Sequence, residues 1–195
     1  MIDKKRKFIL ASRSPRRAHL LHQIGMKFSI QESNVDEIID TTKTPAENVM
    51  SLSLQKALAV ASRAASGIVI GSDTIVVLQK QILGKPETRR EAAMMLHKLS
   101  GRTHTVFTGF AIVDAQSKRS LIDYEKTKVT FRALSNKEIQ EYVRSGSPLD
   151  KAGAYGIQDD YGAVFVQRID GCYYTVVGFP LTKFYIALQK FLQSS

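Results

Sequence analysis

The chain lacks most of the features that stabilise secreted or membrane proteins. Its single cysteine, Cys172, rules out an internal disulfide and leads to the expectation of a reducing compartment. No run of 18 apolar residues occurs, which argues against a membrane-spanning helix and for a soluble, cytoplasmic protein without a membrane partner. The apolar stretch behind the basic N-terminus, Phe8 to Ala11, is too short for a signal peptide. "GKPET" lacks the glycine spacing of a Walker A loop, and the histidines of "HLLH", His19 and His22, have no acidic or thiol ligands nearby to build a zinc site. With no repeat, low-complexity tract or linker, the 195 residues are expected to form a single domain, 1–195. A chain of that size can bury roughly 70% of its unfolded surface and needs no disulfide or structural metal to fold. Acidic residues are also scarce. Lys+Arg 28 against Asp+Glu 18 gives a net charge of +10, which points to polyanionic partners without choosing among nucleotides, nucleic acid and membrane.

What the chain does have is alternation of helix and strand patterns. Phe8 to Ala11 reads as a short strand, followed by a helix capped by Ser14, with Pro15 at its first position and Gly25 at its end. Lys27 to Gln31 can return as a strand. A long helix over 45–64 shows a main apolar stripe of Met50, Leu54, Ala57, Leu58 and Ala61. "GIVIGSDTIVVL" reads as a buried strand broken around Ser72 and Asp73, with "QKQ" as the turn after it. A helix over 89–99, two long strands over 103–114 and 121–132, and a helix through Ile139, Tyr142 and Val143 follow. "AVFVQRIDGCYYTVV" reads as a hairpin turning at Asp170 and Gly171, and the chain ends in an amphipathic helix. Together these predict an α/β fold with a mixed sheet flanked by helices.

Several polar groups stand out against this pattern. Arg16 and Arg17 occupy the first turn of the Ser14 helix, where the dipole disfavours cations. An anion bound at that N-terminus would reverse the penalty, and without one the two arginines are simply solvated. Asp73 interrupts an apolar strand and must find a partner, either a ligand or the backbone amides of a turn. Lys56 lies opposite the main stripe of its helix but among Val49, Leu52 and Val60, so it either reaches a cleft from a covered surface or snorkels to solvent. Asp36 and Glu37 form an acidic pair, and Lys85 precedes a proline in an extended segment. As a set, these residues offer carboxylates for a divalent cation and cations for a polyphosphate, the mixture that phosphoryl chemistry uses.

The motifs "ILASRSPRRAHLL", "VDE", "GSDTIVVL", "ILGKP", "LSGRTHTVFTG" and "DKAGAYGIQ", in this order and spacing, resemble the Maf (septum formation inhibitor) family of nucleoside triphosphate pyrophosphatases over nearly the whole chain. The resemblance implies a mixed, elongated sheet similar to that of inosine triphosphate pyrophosphatases. It also implies a divalent metal, Mg²⁺ or Mn²⁺, hydrolysis of a nucleoside triphosphate to monophosphate and pyrophosphate, and a possible homodimer. "SDT" with "DKAGAYGIQ" looks like the branch acting on dTTP and UTP, which is regarded as cleansing nucleotide pools of modified pyrimidines. Carried over by position, Asp73 is the expected catalytic carboxylate. Arg16, Thr74 and Gln158 are expected to select the base, and Ser12, Arg17, Lys56 and Lys85 to bind phosphates. Glu37 and Asp73 are expected to hold the metal. Arg13 departs from the small residue common in the family, and Asp159 and Asp160 replace a glycine-rich continuation. Two other functions remain to be weighed: a non-catalytic regulator of cell division, and a basic nucleic-acid-binding module. The sequence argues against the latter, because no aromatics interleave a basic sheet face.

Overall fold

The computed structural model describes residues 6–158 and 160–193; the readings made at Lys4, Lys5, Asp159 and the Asp160 side chain fall outside them. In chain order, the described elements are β1 (Phe8–Leu10), α1 (Pro15–Gln23), β2 (Ser29–Ile30), α2 (Pro45–Ala61), β3 (Ile68–Leu78), β4 (Gln81–Leu83), α3 (Arg89–Leu99), β5 (Thr103–Asp114), β6 (Ser120–Phe131), α4 (Asn136–Arg144), β7 (Val166–Asp170), α5 (Tyr173–Val177) and α6 (Leu181–Gln193). The strands form one sheet in the order β2, β1, β3, β5, β6, β7, with β4 paired to β3. β1 runs parallel to β2 and β3, placing Ile9 opposite Ser29 and Val69, whereas β4 and β7 are antiparallel to β3 and β6. The α/β fold with a mixed sheet is therefore the one the sequence pattern predicts.

Two compact units share these strands. The first comprises Met1–Asp73, Thr108–Glu125 and Gly178–Ser195 so far as they are described, and the second Thr74–Phe107 and Lys126–Val177. In the first, alternation along the strands sends Val69, Ala111 and Val113 into a cluster with Ala57, Val60 and Ala61 of α2. Phe110 points to the other face, where its ring meets Phe184 of α6 at 5.6 Å. In the second, Leu96 and Leu99 of α3 and Ile139 and Tyr142 of α4 share a core with Val106, Val129, Phe131 and Tyr155.

The face of α2 that packs inward holds Ala57, Ala61 and Leu54 of the predicted stripe but extends away from Leu58. Leu58 is 40% exposed, while Val49, Leu52, Lys56 and Val60 are buried. The cause lies on the sheet: a Cβ on Gly71 would sit 2.2 Å from the Ser53 carbonyl oxygen, and one on Gly109 2.5 Å from that of Val49. The helix backbone rests on two residues without side chains, which decides its rotation more strongly than the bulk of Leu58 does. Gly71→Ala is therefore expected to cost about 1–3 kcal/mol, because backbone cannot yield as a flexible side chain would. A melting temperature unchanged from wild type would contradict this packing.

Two further expectations are corrected. β3 runs unbroken through Ser72 and Asp73, since both side chains find partners without leaving the ladder. Among the described residues no strand follows Asp170: the Cys172 carbonyl accepts a hydrogen bond from Thr127 Oγ1, and the β-branched, aromatic run after it winds into α5 with Thr175 and Val177 buried. Tertiary packing overrides strand propensity there.

Candidate functional site

The first unit gathers a charged cluster from four pieces of chain. β1 delivers Ala11 and Ser12 to the start of α1, where Ser14 has extended backbone and its hydroxyl accepts from the Arg17 amide. α1 closes with Gly25 at φ +76°, the Gly25 amide donating to His22 and the Met26 amide to Leu21. Ser12 Oγ accepts from the Ser14 amide at 3.2 Å and from an Arg17 Nη at 3.3 Å. Ser12 is thus both buried and already oriented.

Lys56 lies at the centre of the cluster. Its Nζ donates to Asp73 Oδ1 at 2.6 Å and to Glu37 Oε1 at 2.7 Å. Lys56 and Asp73 are 4% and 5% exposed, so each charge depends on the other for its burial. The side chain of Glu37 is 39% exposed, which leaves this carboxylate open to solvent while it touches the ammonium. Of the two readings of Lys56, snorkelling to solvent is excluded, since its ammonium is buried against Asp73. Asp73 likewise answers its burial with a cation rather than with the amides of a turn.

The segment that carries Glu37 is tied down by Asn48, a buried α2 residue that sequence reasoning missed. Its Oδ1 accepts from the Asp40 amide at 2.9 Å, while Nδ2 donates to the Asp40 and Thr44 carbonyls at 2.9 and 3.1 Å. One helix therefore anchors the segment through Asn48 and meets its acidic residue through Lys56. An asparagine in the first turn after a Thr44, Pro45 helix start was the only sequence signal available.

Arg17 is the cation of α1 that the cluster reaches. Burial pulls its guanidinium below its ordinary value, against the opposing fields of Asp73 and then Glu37, while Arg16 adds a repulsive contribution. Arginine stays charged under such a shift. Arg17, in the first helical turn, thus has carboxylate counter-charges close by, which the sequence could not show. Lys56 and Arg17 stand against Asp73 and Glu37, and Arg16 adds a third positive charge beside Arg17.

The remaining predicted residues belong to the second unit. Thr74 is half-buried on β3, Lys85 is exposed just past β4, and Gln158 is half-buried at the end of the "DKAGAYGIQ" segment. Arg13, the departure in the first loop, is exposed. Among the described residues no three His, Cys, Asp or Glu side chains gather as a metal site. Two carboxylates that converge on one cation nevertheless fit Mg²⁺, which takes one or two protein carboxylates and completes its shell with water and substrate phosphate. Also among the described residues, no helix is long and apolar enough to cross a membrane.

Comparison with known proteins extends over the whole arrangement. The family described as Maf-like protein matches residues 7–191. The chain is 47% identical over 189 residues to a protein of Caldicellulosiruptor saccharolyticus named dTTP/UTP pyrophosphatase, covering 95% of this chain and 94% of that one. It is 50% identical over 186 residues to a Bacillus cereus protein of the same name, covering 95% and 96%. Among solved structures, a nucleoside-triphosphatase / dITP/XTP pyrophosphatase from Mycobacterium abscessus aligns with a TM-score of 0.43 and 16% identity, over 64% of this chain and 74% of that one.

Proposed function

The chain belongs to the Maf family, and from that premise we propose that it hydrolyses dTTP and UTP to the nucleoside monophosphate and pyrophosphate. The observation that carries this reading is that a chain so similar to proteins named for that activity also joins the buried Asp73 and Lys56 to the exposed Glu37 beside the first turn of α1.

In this mechanism the triphosphate lies at the start of α1, where the positive end of the helix dipole favours anions. Ser12 and Arg17 bind its oxygens, and Lys56 and Lys85 neutralise charge that builds on the leaving pyrophosphate. Asp73 accepts the proton of the water that attacks the α-phosphorus; the new P–O bond forms as the bond to the β-phosphate bridging oxygen breaks. Glu37 and Asp73 would hold a divalent cation. Bound there, Mg²⁺ or Mn²⁺ supplies charge neutralisation at the phosphates and makes water easier to deprotonate.

Base selection falls to Gln158 with Arg16 and Thr74. Uracil and thymine present acceptor, donor, acceptor along one edge, and a side-chain amide can accept from the ring N–H while donating to a neighbouring carbonyl. Cytosine inverts part of that pattern, so an amide held in the orientation that suits uracil would set donor against donor and acceptor against acceptor, a basis for rejection. Modified pyrimidines that keep this edge would be accepted too, which gives the reaction its role in cleansing nucleotide pools.

The test is pyrophosphate release by the purified protein from dTTP, UTP, CTP, GTP and 7-methyl-GTP, with and without Mg²⁺ or Mn²⁺. Release that needs the metal and is confined to dTTP and UTP is expected. Equal release from CTP would overturn the role of Gln158, and no release from any nucleotide would overturn the activity itself.

A further inference from the structure

We propose that Gly178 is a positioning residue whose backbone carbonyl holds the Arg17 guanidinium in place for the triphosphate, a proposal that rests on the phosphate-binding role of Arg17 above. Arg17 Nε donates to the Gly178 carbonyl at 3.0 Å, and one of its terminal nitrogens donates to Ser12 Oγ at 3.3 Å. A guanidinium carries its donors in one rigid plane, so fixing two of them sets the direction of the rest. The same carbonyl lies 3.4 Å from Ser72 Oγ, which donates its shorter bond, 2.8 Å, to the Gly109 carbonyl. Gly178 thus lies between the arginine of α1 and the residue next to Asp73.

The carbonyl can serve as an anchor because both of its flanks are fixed. Gly178 has φ +119°, a region that residues with a Cβ enter only under strain. The peptide leads into Phe179, fully buried with its ring 4.8 Å from Phe184, and then into Pro180, whose carbonyl accepts the first amide bond of α6 from Phe184. A side chain as long and flexible as arginine loses rotamer freedom when it is ordered. Here that ordering is complete before any nucleotide arrives, so less of the binding energy is spent on it.

The experiment is a double-mutant cycle on the full chain, reading pyrophosphate release from dTTP for wild type, Gly178→Ala, Arg17→Ala and the double variant. Gly178→Ala is expected to lower kcat/KM roughly tenfold, the scale of one hydrogen bond to a charged group. In the Arg17→Ala background it should change nothing further. A loss of equal size in both backgrounds marks a general packing effect and overturns the proposal. Wild-type activity in Gly178→Ala alongside a damaged Arg17→Ala overturns the positioning role alone, whereas wild-type activity in Arg17→Ala also removes the phosphate role of that residue. Should Gly178→Ala fail to fold, the wild-type protein decides. Its Arg17 Nε–H signal, assigned by its disappearance in Arg17→Lys, should exchange slowly with water, and exchange as fast as that of exposed arginines refutes the anchor.

Discussion

Asp73→Asn is expected to reduce pyrophosphate release by at least about a thousandfold while the chain stays folded. The substitution keeps the shape of the side chain and an oxygen that can accept from Lys56 Nζ, and removes only the charge and the basicity. Proton acceptance by a positioned carboxylate contributes about 10²–10⁴ in rate, so the loss should appear in kcat. If Asp73 acts chiefly by holding the metal, KM for the metal–nucleotide complex rises instead, and the two roles separate in one steady-state experiment. Folding should survive because Lys56 keeps Glu37 as a counter-charge at 2.7 Å. A stability loss of about 1–3 kcal/mol is expected from the weaker bond to a buried ammonium, and urea unfolding at pH 7 measures it. An Asp73→Asn protein that turns over dTTP at near wild-type rates would remove this residue from the mechanism.

Acid should weaken the second unit well before carboxylates begin to titrate, and the cause is His104. It is 2% exposed on β5, its Nε2 lies 2.8 Å from the Tyr155 hydroxyl, and its Nδ1 has no hydrogen-bond partner among the described residues. Phe131 and Tyr155 stand edge-on to the ring at 5.1 and 5.3 Å. Burial among these rings pushes the imidazole down to about 4 and raises the Tyr155 hydroxyl, so both groups are neutral in the folded protein at neutral pH. The unfolded chain takes up a proton at His104 near pH 6.5 and the folded chain only near pH 4. Between those values the unfolded state binds more protons, and stability falls as pH falls. The full loss is about 3 kcal/mol and levels off below pH 4. Exposed carboxylates held low by hydrogen bonds lose their contribution at lower pH: Asp40, bonded to Thr42, and Glu138, bonded to Arg132, both titrate at about 2. Urea midpoints recorded from pH 7 to pH 4 should therefore show a slope that His104→Phe abolishes. An identical slope in that variant would place the acid sensitivity elsewhere.

How much of this was legible beforehand depends on what kind of group makes each contact. Asp73 was conspicuous because a carboxylate in an apolar strand is costly, and Ser14, Pro15 and Gly25 mark α1 by local rules that tertiary structure did not disturb. Lys56 was half legible: its helix showed apolar residues on two sides, but the choice between them was made by Gly71 and Gly109 on other strands. The run from Tyr173 to Val177 has strand composition and forms a helix because its place after β7 is set by burial. Gly178 gave no signal at all, since the group that binds Arg17 is a backbone carbonyl, which every residue possesses. The grouping of Arg16 and Arg17 with Glu37 and Asp73 needed the fold, because some 20 to 60 residues separate them in the chain.

The bare contact between α2 and the sheet also has a consequence for reading mutational data. Ser53, whose carbonyl meets Gly71, stands one turn before Lys56, and Gly71 stands two residues before Asp73 on the same strand. The spacing of the ammonium and the carboxylate is thus inherited from a gap where no side chain exists. In a saturation screen scored only by activity, Gly71 would look as intolerant as Asp73 itself, although it offers no functional group to any ligand. A parallel screen scored by abundance would part them, with the bulkier replacements of Gly71 depleted well beyond Asp73→Asn, because each further side-chain atom meets the α2 backbone.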